Sequence, residues 1–159
     1  MRKYNLFPYE DGDCVCSCLQ SILDRNGRPT PSQEEIAKRF PRLNRGLSIN
    51  EESLDRFLEN HDLHVSYKDP FGIVQPDIIL RDVSEELDVM VAYSFNNLHS
   101  GADPIGHTSL LAQFRPNQER ELLLFEWGFP DCFLQGFSLP DLMNSMRNTP
   151  NSGFYLIDD

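Results

Sequence analysis

The sequence lacks the features that would point to a membrane or to a nucleic acid. Its 159 residues contain no apolar run long enough to span a bilayer, and the first residues do not form a signal peptide. Basic residues are few, with 14 Lys and Arg against 25 Asp and Glu, so the net charge is -11. Bulk charge of this sign disfavours binding to nucleic acid or to an anionic membrane surface. We therefore expect a cytoplasmic protein that binds neither.

Cysteine is also scarce, and its spacing excludes the common cysteine motifs. Of the four cysteines, three occupy alternate positions in YEDGDCVCSCLQSIL and the fourth is Cys132. Alternate cysteines are too close to pair easily, and cytoplasmic thiols stay reduced, so we expect no disulfide framework. C-x-C-x-C also differs from the C-x2-C of zinc sites, and only Cys132 or a distant histidine could complete four ligands. A metal site is the less favoured alternative, and we expect no metal and no cofactor.

The first part of the chain has the pattern of helices. The length suits one domain with a proper core. A helix is predicted from Cys14, with Asp13 as its cap, an apolar stripe at helical spacing, and Asn26 at its end. The segment RPTPSQEEIAKRF predicts a second helix, in which Ser32 and Glu35 form a capping-box pattern. A third helix is predicted within LSINEESLDRFLENHDL.

The second part of the chain has the composition of strands. The segment between Tyr93 and His107 is rich in Asn, Gly and Ser, which predicts a loop, and Ser138 is the predicted cap of a short helix. The predicted strands, in chain order, are 64–70, 89–94, 108–114, 122–127 and 153–159. Helices followed by an antiparallel meander predict an α+β fold with the helices packed on one side of a sheet.

Cys14 is the best candidate for a nucleophile. It begins a predicted helix, where the helix dipole and unpaired N–H groups stabilise a thiolate and lower its pKa. A nucleophilic cysteine needs a base, and the base needs an orienting acceptor. His107 begins one predicted strand and Glu126 ends the next, so a hairpin would place them side by side. The sequence therefore predicts a Cys-His-Glu triad.

These segments resemble a known enzyme family. DVMVAYSFNNLHSGADPIGHTSLLAQF, ELLLFEWGFPDCFLQGFSLPDLMNSM and SGFYLI are similar to the catalytic half of phytochelatin synthases, and CVCSCLQSIL is similar to their nucleophile helix. Bacteriocin leader-processing peptidases share the outline more loosely. The resemblance implies a single papain-like cysteine peptidase domain over 1–159. It also implies Cys14 as nucleophile, His107 as general base and Glu126 as acid, acting on a peptide or on a γ-glutamyl thiol such as glutathione.

The contacts to the oxyanion are where the sequence departs from these families. In them a Gln six residues before the nucleophile donates to the oxyanion, and Pro8 occupies that position here. Glu10 is near, but a carboxyl group donates a hydrogen bond only when it is protonated. Val15 stands where these families have Gly. We expect the oxyanion or substrate contacts to involve Glu10 and Val15, with backbone N–H groups at the helix start as donors.

Several alternatives stay open from the sequence. A shifted register would make Cys16 the nucleophile, with Glu10 six residues before it. Asp131 competes with Glu126 as the acid, although GFPDC has the pattern of a turn. Beside cysteine-dependent acyl transfer by a peptidase, amidase or γ-glutamyl transpeptidase, two other functions remain. One is a papain-fold protein that has lost catalysis and binds a partner or ligand in its cleft, and the other is a metal-sensing or redox thiol protein.

Overall fold

A six-stranded antiparallel sheet forms the centre of the protein in the computed structural model. The structure describes residues 3–8, 13–43, 46–82, 87–98, 106–127 and 132–159. The strands are β1 (His64–Lys68), β2 (Asp88–Ser94), β3 (Gly106–Phe114), β4 (Leu122–Trp127), β5 (Cys132–Phe137) and β6 (Gly153–Asp158). Their order in the sheet is β1-β6-β2-β3-β4-β5, so the closing strand β6 lies between β1 and β2.

Six α-helices accompany the sheet in the described part of the chain. They are α1 (Cys14–Arg25), α2 (Gln33–Ala37), α3 (Glu51–Leu58), α4 (Pro76–Asp82), α5 (Phe95–Leu98) and α6 (Leu139–Met146). None of these helices is long and apolar enough to cross a membrane. The predicted α+β class is confirmed by this combination of helices and an antiparallel sheet.

Local sequence signals fix several of the helix ends. The side chain of Ser32 accepts from the Glu35 N–H, and the Glu35 carboxylate accepts from the Ser32 N–H, which confirms the capping box of α2. The hydroxyl of Ser138 accepts from the Asp141 N–H at the start of α6, as predicted. These caps satisfy N–H groups that have no acceptor inside the helix. They are short-range bonds, which is why the sequence alone predicts them.

One strand and one short helix were not predicted, and a second short helix lies in a segment that the sequence left open. The strand β5 occupies 132–137, between a predicted turn and a predicted helix. Its pattern did not predict a strand, because the exposed Phe133 and Leu134 break the alternation of a half-buried strand. The four-residue helix α5 lies in the predicted loop between Tyr93 and His107, and positions 99–105 of that loop lie outside the described residues. The helix α4 lies within 71–87, a segment whose pattern suits either a loop or a short helix.

The helices lie on both faces of the sheet. Helices α1, α2 and α3 pack on one face, as predicted for the N-terminal helices, but α4 and α6 pack on the other. Strand β2 shows the reason, because all seven of its residues are buried. Met90 and Ala92 join the cluster with α1, whereas Val89 and Val91 join the cluster with α6. A sheet that is apolar on both faces needs cover on both, so the prediction of one-sided packing is wrong.

A buried carboxylate joins the far end of α1 to the sheet. Asp88 at the start of β2 is 1% exposed and accepts three hydrogen bonds. The donors are the Tyr4 hydroxyl at 2.5 Å, the Arg25 guanidinium at 2.7 Å and the Asn26 side-chain amide at 2.7 Å. Arg25 and Asn26 end α1, so Asp88 fixes that end against β2. Because the helix is a rigid rod, the same anchor also determines where Cys14 lies at its other end.

Removal of this carboxylate tests the anchor. We expect Asp88→Ala to lower the free energy of unfolding by about 3 kcal/mol, since it leaves a largely buried guanidinium without its ionic partner. Urea denaturation followed by circular dichroism measures the loss. The control is Glu34→Ala, which breaks an exposed pair with Lys38 at the same 2.7 Å N–O distance and is expected to change stability little. Equal losses in the two variants would contradict an anchoring role for Asp88.

Candidate active site

The start of β3 lies between the end of β2 and the end of β4. Tyr93 on β2 is directly opposite His107 on β3. Leu110 on β3 is opposite Phe125 on β4, so the last residues of β4 run beside the first residues of β3. The hairpin expected from the sequence is therefore present. It brings Glu126 to the side of His107.

The imidazole of His107 is hydrogen-bonded to the carboxylate of Glu126. Its Nε2 atom lies 2.8 Å from Oε2 of Glu126. Both side chains are buried, with 10% of His107 and 2% of Glu126 exposed. A buried pair of this kind is screened little by solvent, so each partner strongly affects the protonation of the other.

The thiol of Cys14 is on the other side of the same imidazole. The charge of His107 and hydrogen bonding from His107 and from Thr108 all act on the Cys14 sulfur to lower its pKa. Because Nε2 is engaged by Glu126, Nδ1 is the ring nitrogen that is left for the sulfur. The structure thus brings together the three predicted triad residues as one chain of thiol, imidazole and carboxylate.

The charges of these three side chains favour a thiolate at Cys14 and an imidazolium at His107. Burial raises the pKa of Cys14, but the charge of His107 and the hydrogen bonds from His107 and Thr108 outweigh it, so the net pKa is lowered. Burial opposes charge on His107, yet Cys14 and Glu126 raise its pKa to about 10. Burial also raises the pKa of Glu126, but its hydrogen bonds, first among them that from His107, keep the pKa below its usual value.

The other three cysteines have the opposite tendency. Burial and the nearby Asp13 raise the pKa of Cys16 to about 12. Burial raises the pKa of Cys18 well above its usual value, and burial together with Glu126 raises that of Cys132 to about 11. Cys14 is the one cysteine of the four with a lowered pKa. The structure therefore favours the predicted register over the alternative with Cys16 as nucleophile.

The start of α1 is not capped as predicted. Asp13 precedes the helix, but its side chain makes no capping hydrogen bond, and its Oδ2 atom lies 3.4 Å from Nη2 of Arg42 instead. The first helical bond runs from the Ser17 N–H to the Asp13 carbonyl, so the N–H groups of residues 14–16 precede the helical ladder. The side chain of Val15 is 3% exposed and packs in the core. The backbone N–H of Val15 is therefore the group that this residue can offer to the site.

Two predicted or competing residues lie outside the described residues. These are Glu10, which was expected near the oxyanion, and Asp131, the competing acid. Pro8 is described, and its carbonyl accepts from the side-chain amide of Gln33 at 2.6 Å. The position that carries a donating Gln in the families that the sequence resembles therefore contributes to the packing of α2 here.

Besides Thr108, sequence reasoning missed three side chains that contact the predicted triad residues. The hydroxyls of Tyr93 and Ser109 both bond to Glu126, and the ring of Phe95 meets the His107 ring edge-on at 5.1 Å. Alternation could have identified Ser109, because residues two apart on a strand share a face. The other two depend on which strands pair and in which register. No local pattern gives that information.

The rate at which Cys14 is alkylated tests the electrostatics of the site. With a lowered pKa, Cys14 stays a thiolate at pH values where an ordinary thiol of pKa about 8.5 is protonated. We expect iodoacetamide at pH 6 to label Cys14 faster than the other three cysteines, as measured by peptide mapping with mass spectrometry. The rate should fall only as the pH drops through the lowered pKa, and the urea-unfolded chain supplies the reference titration. Labelling of Cys132 at an equal rate would contradict the assignment.

A comparison with known proteins adds no relative to this description. No family model matches the chain, and no curated protein matches its sequence. The case for the site therefore depends on its geometry and its charges.

Proposed function

We propose that this protein is a papain-like, cysteine-dependent acyl transfer enzyme, that is, a peptidase, an amidase or a γ-glutamyl transpeptidase. Cys14 is the nucleophile, His107 is the general base and Glu126 is the acid that orients it. One observation carries the proposal. A single cysteine of four has a lowered pKa, and the group that lowers it is the imidazole of a buried imidazole–carboxylate pair. Activated cysteine nucleophiles are made in this way.

The papain-like fold is part of the same proposal. In support of it, the nucleophile begins a helix that packs against an antiparallel sheet, and the base and the acid come from neighbouring strands of that sheet. The chain order of cysteine, histidine and then acid agrees with the resemblance to phytochelatin synthases. The coarser class, α+β, does not depend on this proposal.

In the first half of the reaction, the Cys14 thiolate attacks the carbonyl carbon of an amide. A C–S bond forms, and the carbonyl π electrons move to oxygen, which becomes an oxyanion. The imidazolium of His107 then donates its proton to the nitrogen of the leaving amine. The oxyanion collapses, the C–N bond breaks, and the amine departs from a thioester on Cys14.

The oxyanion needs donors that do not depend on the family's Gln. The first N–H groups of α1, including that of Val15, lie beside the nucleophile and have no acceptor within the helix. They point out of the positive end of the helix, where a developing negative charge is stabilised. These backbone groups are the donors in our proposal.

In the second half of the reaction, a water or an amine attacks the thioester carbon. His107 accepts the proton of the attacking group, the C–S bond breaks, and the thiolate of Cys14 is restored. Water gives hydrolysis and an amine gives transfer. The proposed substrates are a peptide or a γ-glutamyl thiol such as glutathione, the second on the family resemblance alone.

Trapping of the acyl-enzyme tests the proposed function. We expect a p-nitrophenyl ester to acylate Cys14, with release of p-nitrophenol and the added acyl mass on the α1 peptide after acid quench. Cys14→Ala should lose this adduct, and His107→Ala should acylate about 10²–10⁴ times more slowly, because general base catalysis is typically of that size. Cys132→Ala is the matched control and should keep the wild-type rate.

The outcomes separate two of the three functions that the sequence left open, the acyl transfer enzyme and the inactive papain-fold protein. Acylation followed by turnover with peptides or glutathione supports the enzyme. A reactive Cys14 that forms no thioester with any of these acyl donors would point instead to a papain-fold protein that binds a ligand in its cleft. An adduct that persists in Cys14→Ala would show that Cys14 is not the nucleophile.

A further inference from the structure

The carboxylate of Glu126 has two further donors besides His107. The Tyr93 hydroxyl donates to Oε1 at 2.5 Å, and the Ser109 hydroxyl donates to the same oxygen at 2.6 Å. Oε2 is left for Nε2 of His107 at 2.8 Å. Tyr93, Ser109 and Glu126 are each at most 1% exposed. The orientation of the carboxylate is therefore set by protein groups and not by bulk water.

Among the described residues, His107 is the cation that acts on the carboxylate of Glu126. The titratable groups that act on it are His107 from β3, Tyr93 from β2, Cys132 from β5 and Cys18 from α1. Burial and the negative charge of Glu126 raise the pKa of Tyr93, so its hydroxyl keeps its proton and remains a donor. Both thiols are also held in their neutral forms. Hydrogen bonds from His107, Ser109 and Tyr93 therefore stabilise this anion together with the charge of His107.

We propose that Tyr93 and Ser109 are positioning residues, which turn Glu126 so that Oε2 meets His107 and which require a carboxylate, not a carboxamide, at position 126. This inference rests on the proposed function, because it assigns how the base of that reaction is oriented. Neither residue touches the reacting sulfur. Both act through Glu126 on the ring of His107.

The two oxygens of Glu126 divide the three donors between them. A carboxylate offers two acceptor oxygens, so Oε1 can serve both hydroxyls while Oε2 accepts from Nε2–H of His107. In the neutral ring the proton is then on Nε2, and the other ring nitrogen, Nδ1, is the base that takes the thiol proton to form the imidazolium. The two hydroxyl donors therefore select the tautomer of His107 that can accept the thiol proton.

A carboxamide at this position would reverse the tautomer. It has one acceptor oxygen, to which the hydroxyls of Tyr93 and Ser109 would both donate. Its NH2 group would therefore face Nε2 of His107. Nε2 would then have to accept, and the ring proton would sit on Nδ1 toward the sulfur. The opposite orientation of the amide would leave two buried hydroxyl protons without their acceptor, which is costly.

Two single variants isolate the hydroxyls. Tyr93→Phe keeps the aromatic ring, which meets the His107 ring edge-on at 5.5 Å, and removes only the donor. Ser109→Ala removes the second donor with almost no change of volume. We expect each variant to raise the pH of half-maximal Cys14 alkylation by about 0.5–1 unit, because each loses a charge-assisted hydrogen bond to Glu126.

Matched controls separate positioning from simple loss of stability. Tyr155→Phe removes a hydroxyl that donates to the Asn151 carbonyl at 2.7 Å, and Ser145→Ala removes one that donates to the Leu142 carbonyl at 2.6 Å. These changes remove bonds of similar length at sites away from the triad. We expect them to lower the melting temperature by amounts similar to the test variants, with no shift in the pH profile of Cys14 alkylation.

The requirement for a carboxylate has its own test. We expect Glu126→Gln to return the alkylation profile of Cys14 to that of an ordinary thiol, near pH 8.5. Adding Tyr93→Phe and Ser109→Ala to Glu126→Gln frees the amide to turn its oxygen toward His107. The triple variant should then recover part of the lost reactivity at pH 6, a rescue that a purely structural role of the two hydroxyls does not produce.

Each outcome decides a separate point. Wild-type profiles in both Tyr93→Phe and Ser109→Ala would overturn the positioning proposal while leaving Cys14 activated. An ordinary thiol profile in the wild-type protein would instead overturn the proposed function. Glu126→Gln with an unchanged profile would show that a carboxamide serves equally well, and the requirement for a carboxylate would be wrong even if the single variants shift.

Discussion

The burial of one carboxylate is the constraint on which the candidate site depends. Glu126 is 1% exposed, and an ionised carboxylate loses several kcal/mol of hydration when it is buried without partners. The sheet offsets this loss with three donors, Tyr93 from β2 and His107 and Ser109 from β3. The three donors meet only in the register that the strands have. A slip of one residue in β3 would turn His107 and Ser109 to the other face and leave the charge with Tyr93 as its one donor among the three.

The position of Cys14 depends on a second set of contacts. Like the donors to Glu126, some of these contacts are on β3. Helix α1 is fixed at its far end by Asp88 and crosses β3 at Thr108, whose carbonyl accepts from the Cys18 thiol at 3.6 Å. Thr108 also bonds to the Cys14 sulfur. Since Thr108 directly follows His107, the residue that holds the nucleophile and the residue that activates it are neighbours on one strand. The separation of sulfur and imidazole is thus tied to the backbone.

The features that the sequence predicted are those set by short-range chemistry. Caps such as Ser32 and Ser138 act over three residues, and a hairpin brings the ends of adjacent strands together, which is why His107 and Glu126 could be paired in advance. The features that it missed need tertiary information. Asp13 makes no cap, and its carboxylate lies beside the guanidinium of Arg42, 29 positions away. Tyr93 meets Glu126 only through pairing of three strands, and the edge strand β5 has too little alternation to be recognised.

The electrostatics of the site also suit the order of steps in the proposed reaction. The pKa of His107 is raised first of all by the charge of Cys14, and then by Glu126, against a loss from burial. When the sulfur attacks a carbonyl, that negative charge moves from sulfur to oxygen, toward the N–H groups of α1. The largest support for the imidazolium is then gone, and the pKa of His107 must fall. His107 therefore keeps its proton before the substrate reacts, and it releases that proton more easily once the sulfur has attacked, when the leaving amine must be protonated. Glu126 keeps its charge throughout, so it orients the ring without controlling that change.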